Sequence, residues 1–161
     1  MATSILFVCT ANICRSPTAE GVFRAMAGKA GLAQAFEIDS AGTGATHVGE
    51  PPSPPAIEVA AARGYDISAI RARQITGKDI ARFDLVLAMT RGHLVEMRWL
   101  APRDLVDKPK LLMSYAPPLG ILDVSDPYGG PREDYERAID LIEVACRGLL
   151  ESLRSEVRKA M

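Results

Sequence analysis

The sequence lacks any long apolar run. No stretch of it approaches the roughly 18 consecutive apolar residues that a membrane-spanning helix needs. Residues 1–4 contain no basic side chain, and the apolar run that follows them ends at Val8. A secretory signal has a basic start and a longer apolar segment. We therefore expect neither a membrane segment nor a membrane partner, and no secretory signal.

Cysteine and histidine are also scarce, with 3 cysteines and 2 histidines in 161 residues. The cysteines form no Cys-x2-Cys pair and have no companion histidines. This pattern implies neither a disulfide framework nor a structural zinc site, and we expect no metal and no cofactor. A sparse set of free thiols favours a reduced, cytoplasmic location. We expect His47 and His93 to lie on the surface.

Basic and acidic side chains are nearly balanced, so the chain has no large excess of either charge. The chain has 19 Lys and Arg against 20 Asp and Glu, which gives a formal net charge of -1. Such a chain has no electrostatic footprint for nucleic acid or for an anionic membrane, so we expect no nucleic-acid partner. Recognition of an anion would have to depend on local dipoles and a few side chains. The length and the 48% apolar content fit one domain over residues 1–161.

What the sequence does contain is a regular alternation of apolar runs and helical patterns. Strands are predicted at 4–8, 36–40, 84–89 and 110–113, and helices at 16–29, 56–63, 91–100 and 132–158. Alternating strands and helices favour right-handed crossovers and a parallel sheet with helices on both faces. Ligands of such sheets bind beyond the carboxyl ends of the strands. The loops after the first, second and fourth strands should therefore meet at one edge.

A cysteine and an arginine bracket the loop after the first predicted strand. The Cys-x5-Arg spacing of Cys9 and Arg15 is common by chance, but its position between a strand and a helix is informative. Unpaired N–H groups at a helix start favour an anion, and the guanidinium fork of Arg15 suits two phosphate oxygens. The same cation and helix start favour a thiolate at Cys9. Ser16 is placed to donate a hydrogen bond to the sulfur. The pattern predicts a phosphate-binding loop with Cys9 as nucleophile.

A second candidate lies in the loop after the fourth strand. Phosphoryl transfer to sulfur needs an acid for the leaving oxygen and then a base for water. Asp126 is our candidate for both roles, because Pro127 restricts its backbone and Tyr128 is placed to form an aromatic wall. By themselves, Cys9 is typical of a buried core thiol and Asp126 of a turn residue. Their common edge makes the catalytic interpretation stronger.

The other cysteines allow less specific interpretations. Cys14 is either a small packed side chain or a resolving thiol that pairs with oxidised Cys9. Cys146 lies on the apolar stripe of the last predicted helix and is expected in the core.

Five segments in order resemble the low-molecular-weight protein-tyrosine phosphatases: VCTANICRSP at 8–17, SAGT at 40–43, ARQIT at 72–76, LAM at 87–89 and DVSDPY at 123–128. The resemblance implies an α/β three-layer sandwich with a four-stranded parallel sheet. It also implies metal-free hydrolysis of phosphotyrosine, in a protein or as a small aryl phosphate, through a phosphocysteine. We expect a monomer or weak dimer.

The same resemblance implies roles for individual residues. Cys9 matches the nucleophile, Arg15 the phosphate clamp and Asp126 the general acid. Ser40 matches a residue that supports the loop. The remaining substrate- and phosphate-binding positions are Thr10, Ala11, Asn12, Ile13, Cys14, Ser16 and Tyr128, of which Asn12 and Ser16 also hold the loop in shape.

Five positions depart from the family pattern, one of them Thr90, which follows Met89 where aspartate is common. Ala11 replaces a glycine and would be strained if its φ were positive. Ile70 replaces a histidine, so the network around Asn12 and Ser40 is expected to lack one member. Thr46 and Gly129 replace aromatic residues, which predicts a wider and less aromatic cleft.

Three alternative functions are open. A protein-arginine phosphatase is one, although Ile13 stands where that branch has threonine and should favour an aromatic leaving group. An arsenate reductase needs additional cysteines near residues 82–89, and none is present. A non-catalytic phosphate-binding or redox-sensing module has no use for the acid Asp126.

Overall fold

A four-stranded parallel sheet forms the centre of the molecule in the computed structural model, which describes residues 2–160. The strands are β1 (Thr3–Cys9), β2 (Phe36–Gly42), β3 (Leu85–Ala88) and β4 (Lys110–Leu111). Their order is β2-β1-β3-β4, and all pairs are parallel. The predicted α/β class and four-stranded parallel sheet are confirmed.

Five helices cover the two faces of the sheet. They are α1 (Arg15–Lys29), α2 (Pro54–Ala62), α3 (Gly77–Arg82), α4 (Arg91–Leu100) and α5 (Arg132–Ala160). Helices α1, α2 and α5 pack in one core cluster with Ile5 and Phe7 of β1. Helices α3 and α4 pack in a second cluster with Leu6 and Val8. Both faces of β1 are thus buried, as a strand between two helical layers requires.

Helix α3 and strand β4 are two of the elements that differ from the sequence prediction. Helix α3 was not predicted, because six residues are too few for an apolar period. It begins with a capping box, in which the Thr76 side chain accepts from the Asp79 N–H and the Asp79 side chain accepts from the Thr76 N–H. Strand β4 ends at Leu111, two residues earlier than predicted, because the chain turns into a 3-10 helix over Leu112–Tyr115.

The long helix α5 closes the first layer. Its predicted apolar stripe is buried from Tyr135 through Cys146 to Leu153, while Val157 lies outside the described side chains. Arg63, which follows α2, pairs with three carboxylates of α5, those of Glu136, Asp140 and Glu143. Of the helices within residues 2–160, none has the length and apolar character that crossing a bilayer requires.

Candidate active site

The carboxyl ends of β1 and β2 lie side by side, with Cys9 opposite Gly42. The 9–15 loop folds directly over the end of β2. A Cβ on Gly42 would lie 2.5 Å from the carbonyl oxygen of Thr10, so this close approach requires glycine. The N–H groups of Thr43 and Gly44 then donate to the carbonyls of Cys9 and Thr10, each at 2.9 Å. The end of β2 therefore supports the first half of the loop.

Asn12 is the conformational centre of this loop. Its φ of 58° is the only positive value of a non-glycine residue within the described part of the chain. Ala11 does not have a positive φ, so the condition for strain at this residue is not met. The Asn12 Nδ2 donates to the hydroxyls of Ser16 at 2.7 Å and Ser40 at 3.0 Å. Its Oδ1 accepts from the Arg73 N–H at 3.0 Å, so a fully buried amide is paired on both atoms.

The buried carboxylate of Glu20 belongs to the same network. The Ser40 hydroxyl donates to Glu20 Oε1 at 2.6 Å, and Arg24 donates to Glu20 Oε2 at 2.7 Å. Burial raises the pKa of Glu20 above its usual value, while the bonds from Ser40 and Arg24 oppose that shift. Sequence reasoning missed Glu20. Its position one helical turn after Ser16 on α1 was the available signal.

The thiol of Cys9 points into this arrangement and is almost fully buried, with 2% of the residue exposed. Its Sγ lies 3.0 Å from the hydroxyl oxygen of Ser16. Ser16 accepts from Asn12, so its own hydrogen remains to donate to the Cys9 sulfur or, at 3.4 Å, to the Ala41 carbonyl. A hydroxyl in this position can stabilise a thiolate.

Arg15 stands at the end of the loop and is 5% exposed. Its Nη1 donates to the Val124 carbonyl at 2.9 Å, and its Nη2 lies 3.7 Å from Asp126 Oδ2. Its buried Nε has no hydrogen-bond partner within residues 2–160. A fixed guanidinium with an unpaired N–H is suited to bind an anion.

The 123–128 loop lies over the same edge and is fixed at its first two residues. Asp123 accepts from the Arg91 backbone N–H at 2.8 Å, and the Val124 N–H donates to the Met89 carbonyl at 2.9 Å. Further along, Asp126 accepts from the Tyr128 N–H at 3.1 Å. The Asp126 side chain is 53% exposed, which leaves its carboxyl accessible to a ligand and to water.

These segments enclose one open cleft of about 350 Å³. The sequence predicted most of its lining, but Asn12, Ser16 and Ser40 lie beneath the lining and support it. Thr46 is exposed, and its neighbour His47 lines the cleft instead, with its ring centroid 6.2 Å from that of Tyr128. The lining residues are Cys9, Thr10, Ala11, Ile13, Cys14, Arg15, His47, Asp126 and Tyr128.

Cys14 lines the cleft, and its thiol lies close to two hydroxyl groups. Its Sγ is 3.2 Å from the Ser53 hydroxyl and 4.0 Å from that of Tyr135. Burial raises the pKa of the Cys14 thiol, and the Ser53 hydrogen bond opposes the shift. Cys146 is fully buried in the core, as predicted.

The surface position predicted for His93 is wrong, because this side chain is 4% exposed. Its Nε2 lies 2.7 Å from the Thr10 hydroxyl, and its Nδ1 lies 3.0 Å from the Thr90 hydroxyl. Burial lowers the pKa of His93 to about 4, with a further contribution from the charge of Arg15. The imidazole is therefore neutral at neutral pH.

No group of three or more histidine, cysteine, aspartate or glutamate side chains within residues 2–160 is arranged to hold a metal ion. The site consists of a thiol, a guanidinium and a carboxyl around an open cleft. Such a set can bind an oxyanion, attack it with sulfur and exchange a proton with it.

Comparison with known proteins identifies the family of this chain. The family model described as low molecular weight phosphotyrosine protein phosphatase matches residues 4–159. The low molecular weight protein-tyrosine-phosphatase of Streptomyces coelicolor is 47% identical over 161 residues, which cover 98% of this chain and 97% of that protein. The human low molecular weight phosphotyrosine protein phosphatase is 36% identical over 150 residues, covering 92% of this chain and 94% of that protein.

The fold comparison gives the same result. The crystal structure of YfkJ from Bacillus subtilis matches with a TM-score of 0.91 and 36% identity, and the match covers 97% of each chain. The resemblance found in the sequence is confirmed by both comparisons. The chain therefore belongs to the low molecular weight phosphotyrosine protein phosphatases, a family of hydrolases that act without metals.

Proposed function

We propose that this protein hydrolyses phosphotyrosine, in proteins and in small aryl phosphates, through a phosphocysteine on Cys9. The observation that carries the proposal is the common cleft of Cys9, Arg15 and Asp126, because these three groups supply a nucleophile, an anion clamp and an acid. Ser16, 3.0 Å from the sulfur, supports a thiolate at Cys9.

In the first step, the Cys9 thiolate attacks the phosphorus of the bound ester. A sulfur–phosphorus bond forms while the bond between phosphorus and the tyrosyl oxygen breaks. Asp126 begins this step protonated and transfers its proton to the departing oxygen, so that tyrosine leaves as a neutral phenol. Arg15 binds two phosphate oxygens and stabilises their charge as the bonds change.

In the second step, water attacks the phosphorus of the phosphocysteine. The Asp126 carboxylate now takes a proton from that water, and the sulfur–phosphorus bond breaks. Inorganic phosphate is released and the Cys9 thiolate is restored, with Asp126 protonated for the next cycle. Ser16 assists departure of the sulfur by donating a hydrogen bond to the thiolate as it forms.

The sides of the cleft favour an aromatic leaving group. Tyr128 and His47 contribute aromatic rings to the lining, and Ile13 contributes an apolar side chain. A phenyl ring buries its apolar faces between such groups. An arginine leaving group has a charged guanidinium and gains less there.

The test compares hydrolysis of p-nitrophenyl phosphate, a phosphotyrosine peptide and phosphoarginine by the wild type and three variants. Cys9→Ser should show no turnover while still binding inorganic phosphate. Asp126→Asn should lose about 10²–10⁴-fold in turnover. Cys146→Ala removes a thiol outside the cleft and is the matched control, which should retain activity.

Two outcomes contradict the proposal. Unchanged turnover in Asp126→Asn would exclude Asp126 as the acid. Faster hydrolysis of phosphoarginine than of the phosphotyrosine peptide would favour the arginine phosphatase.

A further inference from the structure

The first turn of α4 contacts both loops of the cleft. At its start, the Arg91 backbone N–H donates to Asp123 of the 123–128 loop. At its end, His93 reaches Thr10 of the 9–15 loop, a residue 83 positions earlier in the chain. The two loops therefore share one four-residue support, 90–93.

His93 is held on both ring nitrogens. A neutral imidazole has one donor nitrogen and one acceptor nitrogen, and a hydroxyl can take either role. In either tautomer, the ring makes one donated and one accepted hydrogen bond, with Thr90 on Nδ1 and Thr10 on Nε2. The Thr90 hydroxyl also accepts from the His93 backbone N–H at 3.1 Å, which fixes it in place.

Thr10 is the residue through which this support reaches the reacting groups. It directly follows Cys9, lines the cleft, and its carbonyl accepts from the Gly44 N–H at 2.9 Å. His93 fixes the side chain of the same residue. With both its carbonyl and its hydroxyl bound, Thr10 has little freedom to rotate the peptide that joins it to the nucleophile.

We propose that His93 is a positioning residue, which sets the orientation of the 9–15 loop for phosphate through its hydrogen bond to Thr10. The inference rests on the proposed function, because the loop is taken to bind the phosphate of the substrate. His93 itself does not line the cleft and takes no part in bond breaking.

The test uses the difference in reach between asparagine and glutamine. The amide of His93→Gln extends to the position of Nε2 and can replace the bond to Thr10. The amide of His93→Asn extends only to the position of Nδ1 and can replace the bond to Thr90 alone. Binding of inorganic phosphate is measured by calorimetry on the resting protein, and KM and kcat are measured with p-nitrophenyl phosphate.

We expect His93→Asn to weaken phosphate binding about three- to tenfold, the range of one lost hydrogen bond. His93→Gln should restore most of that loss, although both variants remove the same ring. Thr10→Val should weaken phosphate binding similarly. The double variant, Thr10→Val with His93→Asn, should bind phosphate no more weakly than the single variant with the lower affinity, because both substitutions remove the same hydrogen bond.

Arg91→Ala is the contrasting variant, because it keeps the backbone bond to Asp123 but removes the ion pair of the Arg91 guanidinium with the same carboxylate, 3.1 Å from Nη2 to Oδ2, and so acts on the 123–128 loop. This variant should keep the phosphate affinity of the wild type. Its turnover should fall mainly for esters of weakly acidic phenols, because such a phenol leaves readily only when the acid protonates its oxygen. An equal loss of phosphate affinity in Arg91→Ala and His93→Asn would overturn the inference. Equal phosphate affinities of His93→Gln and His93→Asn would also overturn it. The same holds if the fold-losses in affinity of the two single variants multiply in the double variant.

Calorimetry also separates this inference from the proposed function. A wild type that binds phosphate but hydrolyses no phosphotyrosine contradicts the proposed function. A wild type that is active, with full phosphate affinity in His93→Asn, contradicts only the role of His93.

Discussion

The hydroxyl oxygen of Ser16 lies 3.0 Å from the sulfur of Cys9, and the same oxygen accepts from Asn12 at 2.7 Å. The bond from Asn12 directs the Ser16 hydrogen away from Asn12 and leaves it available to the sulfur. Hydrogen bonds to charged groups contribute about 1.5–3 kcal/mol. Ser16→Ala should therefore slow turnover by about 10–100-fold, which steady-state and burst kinetics can measure.

The matched control for this prediction is Thr18→Val. The Thr18 hydroxyl donates to the Cys14 carbonyl at 2.7 Å on the same helix, and the residue is buried like Ser16. Removal of the Thr18 hydroxyl should lower the stability of the protein and leave its turnover rate nearly unchanged. Equal rate losses in both variants would mean that Ser16 acts only by supporting α1.

A single methyl group at Gly42 should damage the site. Its carbon would lie 2.5 Å from the Thr10 carbonyl oxygen, so the backbone of the 9–15 loop would have to shift. We expect Gly42→Ala to lower the free energy of unfolding by about 1–3 kcal/mol, as overpacking does, and to weaken phosphate binding.

Gly28→Ala is the control, because open space surrounds a Cβ there. It should stabilise α1 by up to about 1 kcal/mol. Urea unfolding measures both, and a neutral Gly42→Ala would contradict the close packing.

The positive φ of Asn12 can be separated from its hydrogen bonds. Asn12→Ala and Asn12→Gly both remove the bonds to Ser16 and Ser40, but only glycine adopts a φ of 58° without strain. Asn12→Ala should therefore be less stable than Asn12→Gly by about 1–2 kcal/mol. Equal unfolding free energies would show that the loop rearranges in the variants.

Stability should depend on pH through His93. Its pKa in the folded protein is about 4, below the ordinary value of 6.5, so the unfolded chain takes up this proton first as the pH falls. The stability that His93 contributes is complete above pH 6.5 and is lost as the pH falls towards 4. His93→Gln should show a smaller decrease in unfolding free energy over this range. The raised pKa of Glu20 changes stability with pH in the opposite direction, but Glu20 is present in both the wild type and His93→Gln. The difference between their unfolding free energies therefore reports His93 alone.

Cys14 leads to a redox prediction. Peroxide oxidises a cysteine thiolate to a sulfenic acid, and a second thiol can condense with it to give a disulfide and water. Cys14 lines the cleft with Cys9 and is the candidate second thiol. Peroxide should inactivate the enzyme reversibly, and Cys14→Ser should recover less activity on treatment with a thiol. Cys146→Ser should recover like the wild type. Equal recovery in Cys14→Ser would contradict the role of Cys14.

The sequence predicted those parts of the site that depend on where strands end. Cys9 follows an apolar strand, and the 123–128 loop is expected at the same edge once the sheet is parallel, so their meeting followed from topology. His93 was missed for the opposite reason. Its partner Thr10 is 83 residues away, and the two side chains meet only because of how α4 packs in the folded protein. A lone polar residue in a first helical turn gives no local sign of such burial.

The contribution of Arg73 is also invisible in the sequence, because it comes from the backbone. Its N–H pairs with Asn12 across 61 residues, and any residue type except proline would supply that donor. Helix α3 was missed although Thr76 and Asp79 form a recognisable capping box. In this helix the capping box was the usable signal, because six residues are too few to show an apolar period.

The strand order has a consequence for how the molecule opens. Strand β1 is paired along both edges, with β2 and β3, so its amides should exchange with solvent only when the whole sheet unfolds. The 123–128 loop is fixed mainly at its first residues and exposes Asp126, so it belongs to the part that opens locally. If Asp126 is the acid that we propose, local opening of this loop displaces it before it disturbs Cys9, and the opened protein should still bind phosphate with little turnover.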